Sequence, residues 1–481
     1  MLFNSFTFCC IFFPLVTALY FVLPHRYRWA LLLVASCWFY MAFVPVYILI
    51  LAFTILVDYA AGILIEDSSG ARRKAWLTAS IVANVGVLAF FKYFNFLNQN
   101  IGLAVRALGL PYEVPDLGIL LPIGLSFHTF QSLSYTIEVY RGHQRAERRP
   151  GLFALYVMFY PQLVAGPIER PENLLRQLNV PMHWDTDRVV HGLKQMLWGF
   201  FKKLVIADRC GVIVDQVYGD HGTYGGLAMA LATYLFAVQI YCDFSGYGDI
   251  ALGAARVMGF DLMVNFRRPY ASTSISEFWS RWHISLSSWF RDYLYIPLGG
   301  NRVVRWRWFA NLMVVFLVSG LWHGANWTYV VWGALHGIYL VLAIALAGAL
   351  ARFNAITGLD RAPALRRGAS VLITFHLVLL AWVFFRAATM HQATDMLQTI
   401  LRGPWRLDDL RALAGELKNG QLGVTLLAVP LFFLLDPVFD AVVKGERTLR
   451  GPWAQVSFAA LLAAIVLFGH FGSTSFIYFQ F

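Results

Sequence analysis

Long apolar runs follow one another along almost the whole of this 481-residue chain. A run of about 20 apolar residues crosses a bilayer as an α-helix, because each helical residue adds about 1.5 Å of length. Such runs lie at 6–23, 29–43, 46–65, 75–97, 119–140, 224–242, 308–321, 326–350, 368–385, 421–442 and 453–471. They predict about ten to twelve transmembrane helices.

The composition agrees with a membrane protein and indicates its fold class. Hydrophobic residues make up 59% of the chain and charged residues 14%, whereas an average soluble domain carries about 25% charged residues. The runs are unbroken, while the strands of a membrane β-barrel alternate polar and apolar residues. The sequence therefore predicts an all-α polytopic membrane protein. The first run lacks a basic start and a cleavage site, so we interpret it as a retained helix.

The net charge of +11 would also suit a nucleic-acid-binding protein. The basic residues, however, lie mainly in short loops between apolar runs, where they orient the chain with those loops in the cytoplasm. We therefore predict no nucleic-acid partner and a cytoplasmic 302–307 loop. The segment 151–300 does not fit a simple alternation of crossings, which predicts re-entrant or interfacial helices there.

Polar residues collect in that irregular segment. Ionisable groups at membrane depth cost several kcal/mol unless they face a protein interior or a wet cavity, so they are functional candidates. These residues are Asp243, Asp249, Glu277, Arg281, His283 and Asp292. We expect Asp243 and Asp249 to be buried, paired and structural. Glu277 and Arg281 are four residues apart, a spacing at which helical side chains meet. They could therefore form an ion pair that only neutralises the two charges, and this structural role and a role in the site are equal alternatives.

The stretch 274–295 reads as one aromatic helix lying across the membrane interface. Ser274 and Glu277 form a Ser-x-x-Glu capping signature at its start. The sequence "IPLGGNR" then breaks the helix with a proline and two glycines. Because irregular backbone at this depth requires surrounding protein or water, a cavity is expected near 297–302.

Three of the twelve histidines stand out from the probable surface and core groups. His323 lies between two apolar runs in "GLWHGANW", where Gly320 and Gly324 allow the chain to bend and bring the imidazole to a cavity. His283 follows, and His336 is a weaker third. The chain contains no HExxH motif, and its five scattered cysteines form no CxxC pair, so we predict neither a metal site nor a disulfide framework.

Several long motifs resemble one known family. "FWSRWHISLSSWFRDYLYIPLGGNR" and "LVSGLWHGANWTYVVWGALHG" are similar to the signature region of the membrane-bound O-acyltransferase (MBOAT) family. "LLPIGLSFHTFQSLSYTIEVYRG", "AGPIERP", "YCDFSGYGDIALG" and "FIYFQF" resemble its bacterial polysaccharide-acetylating branch. The resemblance runs from end to end and implies a single domain over 1–481, with the signature region at 265–337. From the loop charges and the irregular segment we separately expect re-entrant or interfacial helices around a central funnel and tunnel.

The resemblance implies transfer of an acyl group from a thioester donor, acetyl-CoA, to a hydroxyl, with no permanently bound cofactor. By motif the essential histidine is His323, and His283 matches a second important position. A neutral imidazole can act as general base towards a sugar hydroxyl. His283, Asn326 and Trp322 are candidate donors to the oxyanion. Candidates for holding the phosphates of coenzyme A, or alternatively lipid headgroups, are Arg281, Arg291 and Arg302.

The acceptor is less constrained. The outward-facing loop 387–420 is too short for a domain of its own, so an exported polysaccharide would need helper proteins. The family branch implies periplasmic acetylation proteins in that role, at the bacterial inner membrane. Teichoic-acid D-alanylation and peptidoglycan O-acetylation remain alternatives. A transporter or flippase is the alternative from another class, although no internal repeat relates the two halves of the chain.

Overall fold

The computed structural model describes residues 1–118, 121–418, 420–443, 452–471 and 476–477. All regular secondary structure in these ranges is helical, which confirms the predicted all-α class. The α-helices are α1 (Phe13–Val22), α2 (His25–Met41), α3 (Ile48–Glu66), α4 (Gly70–Leu88), α5 (Phe94–Ala107), α6 (Leu125–Arg141), α7 (Pro150–Met158), α8 (Pro171–Leu178), α9 (Thr186–Phe200), α10 (Asp208–Gly219), α11 (Gly226–Met258), α12 (Ile275–Arg281), α13 (Ile284–Phe290), α14 (Arg305–His323), α15 (Trp327–Ala345), α16 (Ala347–Thr357), α17 (Pro363–Arg386), α18 (Met390–Arg402), α19 (Leu407–Glu416), α20 (Gln421–Val443) and α21 (Pro452–Phe468). π-Helical turns occupy Thr7–Phe12, Ala89–Tyr93, Phe201–Ala207 and Arg291–Tyr295.

Six helical stretches of the described residues are long and apolar enough to cross a membrane. They are Pro45–Glu66, Gly70–Ala107, Gly226–Met258, Trp327–Ala345, Pro363–Arg386 and Gln421–Val442. Two shorter apolar helices, Thr7–Val22 and Gln455–Phe468, accompany them. The chain is therefore a polytopic membrane protein, as its apolar runs predicted. The total of ten to twelve crossings stays a prediction.

The chain divides into two compact units. The first comprises Met1–Met196 with Tyr247–Met263, and the second comprises Leu197–Gly246 with Val264–Phe481. The long helix α11 contributes its first part to the second unit and its last part to the first. The single domain implied by the resemblance stays a prediction.

The first unit is built around α3, α4 and α6, which pack against one another. Gly62 on α3 makes this packing close, because a Cβ atom there would lie 2.6 Å from Cε1 of Tyr135 on α6. Tyr135 is fully buried, and its hydroxyl accepts a hydrogen bond from the backbone of Glu147 at 2.9 Å. The ring therefore ties α6 to α3 and to the loop before α7.

In the second unit, α14 and α15 form a closely packed helical hairpin. A Cβ atom on Gly320 would lie 2.3 Å from the carbonyl oxygen of Tyr329, and one on Gly333 would lie 2.2 Å from that of Phe316. Residues earlier on α14 thus meet residues later on α15, so the two helices run antiparallel. Glycine is required at both positions because the partner is rigid backbone. Gly320 therefore allows the close contact between the two helices. The sequence had suggested that it bends the chain, but it lies inside α14.

The stretch 274–295 is not the single helix that its sequence predicts. Ser274 does cap the first helix, since its Oγ accepts a hydrogen bond from the backbone N–H of Glu277 at 3.1 Å. That helix ends at Arg281, and a second helix starts at Ile284. Between them His283 adopts a left-handed conformation with φ 43°.

The interruption has a tertiary cause. The backbone of Asn265 accepts the N–H of Ile284 at 3.0 Å, and its side-chain Oδ1 accepts the N–H of Ser285 at 3.1 Å. These two amides begin α13, where no preceding helical turn is available to bond them. A distant segment therefore supplies the cap, and local helix propensity is overridden.

Candidate active site

His323 is the last residue of α14 and is 4% exposed. Its ring lies 4.9 Å from the Trp332 ring on α15 and 5.2 Å from the Phe385 ring on α17, measured between centroids. Both contacts are edge-on, and both aromatic rings are fully buried. The imidazole therefore sits in an aromatic enclosure made by three helices, with little contact with solvent.

Gly324 ends α14 directly after this histidine. A Cβ atom at this position would lie 2.1 Å from Cε2 of Tyr329. The missing side chain thus lets the Tyr329 ring lie against the backbone of the turn, and Tyr329 also packs edge-on against Phe385 at 5.1 Å. Close packing around the turn keeps the position of His323 well defined.

His283 lies at the break between α12 and α13 and is fully buried. Its ring stands 4.7 Å from that of Phe244 on α11. Burial lowers the pKa of His283 to about 3, so the imidazole is neutral near pH 7 and can both donate and accept a hydrogen bond. A left-handed backbone at a non-glycine residue is costly, and such strain tends to collect at functional sites.

Trp322 connects the two histidines. Its ring lies 4.8 Å from the His323 ring and 6.2 Å from the His283 ring, and its side chain is buried. The sequence predicted both imidazoles in one site. The structure places both imidazole rings against the same indole, in one compact unit.

A second group of rings adjoins His323 and was not singled out as a group in the sequence. Trp279 on α12 donates a hydrogen bond from Nε1 to Nδ1 of His336 at 3.3 Å. The rings of His336 and Trp332 are 5.0 Å apart, and Trp332 in turn contacts His323. The Trp332 ring therefore contacts both His323 and His336, the third of the histidines that the sequence singled out. Trp332 and His336 are four residues apart on α15, and this helical spacing could have predicted that their rings lie together.

Asn326 caps α15. Its Oδ1 accepts the N–H of Thr328 at 3.1 Å, and its Nδ2 donates to the carbonyl oxygen of Ala388 at 3.0 Å. Both ends of the amide are therefore engaged in holding the turn after His323. This geometry favours a structural role over the predicted oxyanion contact.

An open cavity of about 240 Å³ lies between α12, α13 and α14 in the second unit. Its wall is mostly apolar, with Trp279, Phe290 and Phe316 among the lining residues. Ser319 also lines it and lies one helical turn before His323 on α14. The cavity thus reaches the neighbourhood of the buried histidine.

Of the three arginines predicted to hold the donor, Arg291 lines this cavity. Its Nε pairs with Asp292 at 2.8 Å, while most of its side chain is exposed. Arg281 is engaged differently, with an ion pair to Glu277 at 2.6 Å. Arg302 is exposed, on the turn after the two glycines. Only one arginine therefore combines a cavity position with an accessible charge.

The four predicted structural carboxylates have different surroundings. Glu277 accepts hydrogen bonds from the backbone and hydroxyl of Thr273, both at 2.7 Å, and these bonds with the Arg281 pair lower its pKa. Asp292 pairs with Arg291. Asp249 is only half-buried and accepts from Gln195 at 3.1 Å.

Asp243 belongs to a cluster of buried charged side chains in the second unit, the most buried one among the residues that the structure describes there. Its Oδ1 lies 2.5 Å from Nζ of Lys203, which also pairs with Asp208 at 2.8 Å. All three residues are nearly inaccessible. The backbone N–H of Ile477 donates to Asp243 Oδ2 at 2.7 Å. The stretch "WGFFKKLVIADR" belongs to the segment where polar residues collect, but Lys203 and Asp208 were not among the predicted site residues, although a lysine pair inside an apolar run was a usable signal.

One group in the first unit has the composition of a metal site. Possible ligand atoms of Glu138, His143 and Glu172 lie within 4.8 Å of one another. Glu138 already accepts from Arg141 and hydrogen-bonds to Nδ1 of His143 at 2.7 Å. These bonds engage both carboxylate oxygens of Glu138. That the protein binds no metal stays a prediction from the sequence.

Comparison with known proteins assigns the chain to a family. The profile of the membrane-bound O-acyltransferase family matches residues 74–384, more than half of the chain. A probable alginate O-acetylase, AlgI, of Pseudomonas putida is 37% identical and aligns over 100% of both chains. AlgI of Pseudomonas aeruginosa is 39% identical over 90% of this chain and 82% of its own. A peptidoglycan O-acetyltransferase of Helicobacter pylori is 31% identical over 100% and 98%.

This chain belongs to the membrane-bound O-acyltransferase family. It is an integral membrane O-acyltransferase, and the resemblance identified in its motifs is confirmed. The relatives described as probable alginate O-acetylases match it along its length.

Proposed function

We propose that this enzyme moves an acetyl group from acetyl-CoA in the cytoplasm to hydroxyls of an exported polysaccharide such as alginate. Its location would be the bacterial inner membrane, in contact with membrane lipid. The observation that carries the proposal is the enclosed His323, joined through Trp322 to His283. The full-length similarity to probable alginate O-acetylases favours a polysaccharide as acceptor.

In this proposal the neutral imidazole of His323 takes the proton of the acceptor hydroxyl while the oxygen attacks the thioester carbonyl. The C–O bond forms and the carbonyl becomes an oxyanion. As the C–S bond breaks, the imidazolium returns its proton to the leaving thiolate, so histidine and coenzyme A both end neutral at the reacting atoms. A well-placed donor to such an oxyanion contributes about 2.7 to 4 kcal/mol. The neutral His283 is the preferred candidate for that donor.

The cavity beside Ser319 is the proposed entry for the donor. Its apolar wall suits the acyl and pantetheine portion, and the exposed guanidinium of Arg291 suits a phosphate by charge-assisted hydrogen bonding. The aromatic enclosure excludes bulk water, which would otherwise hydrolyse the thioester. Arg281 and Arg302 are weaker candidates for phosphate contact, because the first is paired and the second lies away from the cavity lining.

Periplasmic acetylation proteins are proposed as partners. They would carry the acetyl group from this enzyme to a polymer too large to enter the aromatic enclosure. Peptidoglycan is the second candidate acceptor, supported by the similarity to the Helicobacter pylori peptidoglycan O-acetyltransferase.

The proposal is tested with the purified protein in liposomes supplied with radiolabelled acetyl-CoA. Unacetylated alginate, peptidoglycan fragments and a periplasmic partner protein are offered separately as acceptors. Label on alginate or on the partner is expected. Label on peptidoglycan alone would make peptidoglycan the acceptor in place of alginate. A parallel assay supplies a D-alanyl carrier protein in place of acetyl-CoA, and transfer only from that carrier would replace acetyl-CoA as the donor. Acceptor transport without any transfer of label would refute acyl transfer by this chain.

A further inference from the structure

A buried carboxylate in the first unit is not among the residues of the acyl-transfer site described above. Asp58 lies in the helical stretch Pro45–Glu66 and is fully inaccessible. It stands eight residues before Glu66, or about 12 Å along the helix axis at 1.5 Å per residue. An ionisable residue at such depth marks a functional site by default, because its charge is expensive there.

Neutral polar groups from two neighbouring helices surround Asp58. Ser80 on α4 donates to Oδ1 at 2.6 Å, and Nδ2 of Asn84 lies 2.9 and 3.0 Å from Oδ1 and Oδ2. Thr136 on α6 hydrogen-bonds to the Ser80 hydroxyl at 3.2 Å. Ser80, Asn84 and Thr136 are each fully buried.

Within the described residues, no basic side chain forms an ion pair with Asp58. The nearby basic groups act elsewhere. Arg73 donates to the carbonyl oxygens of Val139 and Tyr140, Arg141 pairs with Glu138, and Arg148 pairs with Glu66 and Asp67. Arg72 and Lys74 are exposed.

The other titratable groups on helices packed against α3 do not hydrogen-bond to Asp58 either. The buried ones are Tyr40 on α2, His128, Tyr135 and Glu138 on α6, and Tyr156 on α7. His128 bonds to the carbonyl oxygen of Leu163, and Tyr156 bonds to those of Gln131 and Glu169. No side chain of the surrounding helices thus balances the charge of an ionised Asp58.

Two further oxygens lie near the Asp58 carboxylate, and the first has no hydrogen-bond partner in the described part of the chain. One is Oδ1 of Asn84. The other, Oγ of Ser132, lies one helical turn before Thr136 on α6 and has Asp58 as its hydrogen-bond partner. The two ends of an amide are assigned from their hydrogen bonds. Nδ2 of Asn84 also donates to the carbonyl oxygen of Ser80 at 3.0 Å, so its hydrogen bonds assign the nitrogen to the side of Asp58.

We propose that Asp58 forms the centre of a buried site for one monovalent cation, a proton or a sodium ion. A single carboxylate balances one positive charge, whereas a divalent ion would leave a net charge in the bundle. Sodium would take oxygens from Asp58, Ser80, Thr136 and Ser132. A proton would instead bind Asp58 directly and be donated to the hydroxyl oxygen of Ser132, which hydrogen-bonds to Asp58. Either ion neutralises the carboxylate where several kcal/mol oppose its charge.

The sodium case is tested by thermal unfolding of the detergent-solubilised protein in NaCl and in choline chloride at equal ionic strength. We expect sodium to raise the unfolding temperature of the wild type and to have no effect on D58N. D67N is the matched control, because Asp67 directly follows the same helix but is exposed and paired with Arg148. D67N should keep the sodium response.

The proton case is tested by infrared spectroscopy at neutral pH in choline chloride. We expect a protonated-carboxyl C=O band in the wild type and in D67N that is missing from D58N. If D58N does not fold, binding of sodium-22 to the wild type still reports a stoichiometry of one, and T136V should weaken it. An ionised Asp58 with neither a protonated band nor bound sodium would overturn the proposal.

Discussion

His323 and His283 occupy different backbone positions, and this separates the effects expected from replacing them. His323 is the last residue of a long helix and is held by aromatic rings from α15 and α17. His283 holds a left-handed turn between two short helices. Removing the first side chain leaves its helix intact, whereas removing the second also changes a strained backbone position.

We therefore predict that H323A loses acetyl transfer by roughly 10²- to 10⁴-fold, the usual effect of losing a general base. The protein should remain folded, because the enclosing rings do not depend on the imidazole for hydrogen bonding to one another. Transfer from radiolabelled acetyl-CoA is measured at equal amounts of folded protein. H391A is the control, since the His391 side chain is 85% exposed.

H283A should reduce transfer less than H323A if His283 only donates a hydrogen bond. Its asparagine variant should recover part of the loss, because asparagine tolerates the left-handed conformation and retains a donor. Full activity in H323A would refute the general-base assignment. Equal and complete losses in folded H323A and H283A would mean that the two roles are wrongly divided.

Replacing Asp243 tests a structural role. D243A leaves Lys203 with Asp208 as its remaining partner and leaves the Ile477 amide without its acceptor. Breaking a buried pair costs about 3 to 5 kcal/mol, so we expect a lower folded yield by size-exclusion chromatography. D249A, at a half-buried position, should have a smaller effect. A normally folded D243A without activity would move Asp243 into the active site.

The α14–α15 hairpin determines where His323 lies. In G320A the new methyl group would meet the Tyr329 carbonyl, which the helix cannot move aside, so the two helices must separate. Overpacking of this kind costs about 1 to 3 kcal/mol. We expect lower thermal stability and a fall in acetyl transfer. G348A is the control, since a Cβ atom there meets nothing within 4 Å. Unchanged stability and activity in G320A would contradict the rigid-hairpin interpretation.

The interrupted α12–α13 segment illustrates where local sequence reasoning fails. The Ser-x-x-Glu signature correctly predicted the start of the first helix, because a cap uses residues three positions apart. The break at His283 depends on Asn265, eighteen residues away, and on burial of the adjoining rings. Neither contact leaves a periodic signal within the stretch itself.

The predicted orientation of the protein places the 302–307 loop in the cytoplasm. R305C is made in a variant without other cysteines. It should react with a membrane-impermeant thiol reagent in inverted membrane vesicles, which expose the cytoplasmic face, and should not react in spheroplasts, which expose the periplasmic face. The native cysteines must be replaced because Cys10 is exposed. L401C provides the opposite control, since Leu401 is exposed in the predicted outward-facing segment 387–420. Labelling of R305C only from the periplasm would reverse the orientation.

The order of amino acids alone was sufficient for the class of fold, the membrane setting, the family and the choice of His323 and His283. Apolar runs, basic loops and contiguous motifs are local patterns, and each can be read without knowing what packs against it. The placement of Trp322 between the imidazoles, the Lys203 cluster and the polar shell of Asp58 required the folded chain. These features join side chains on different helices, and the free energy that holds them comes from contacts between residues far apart in sequence.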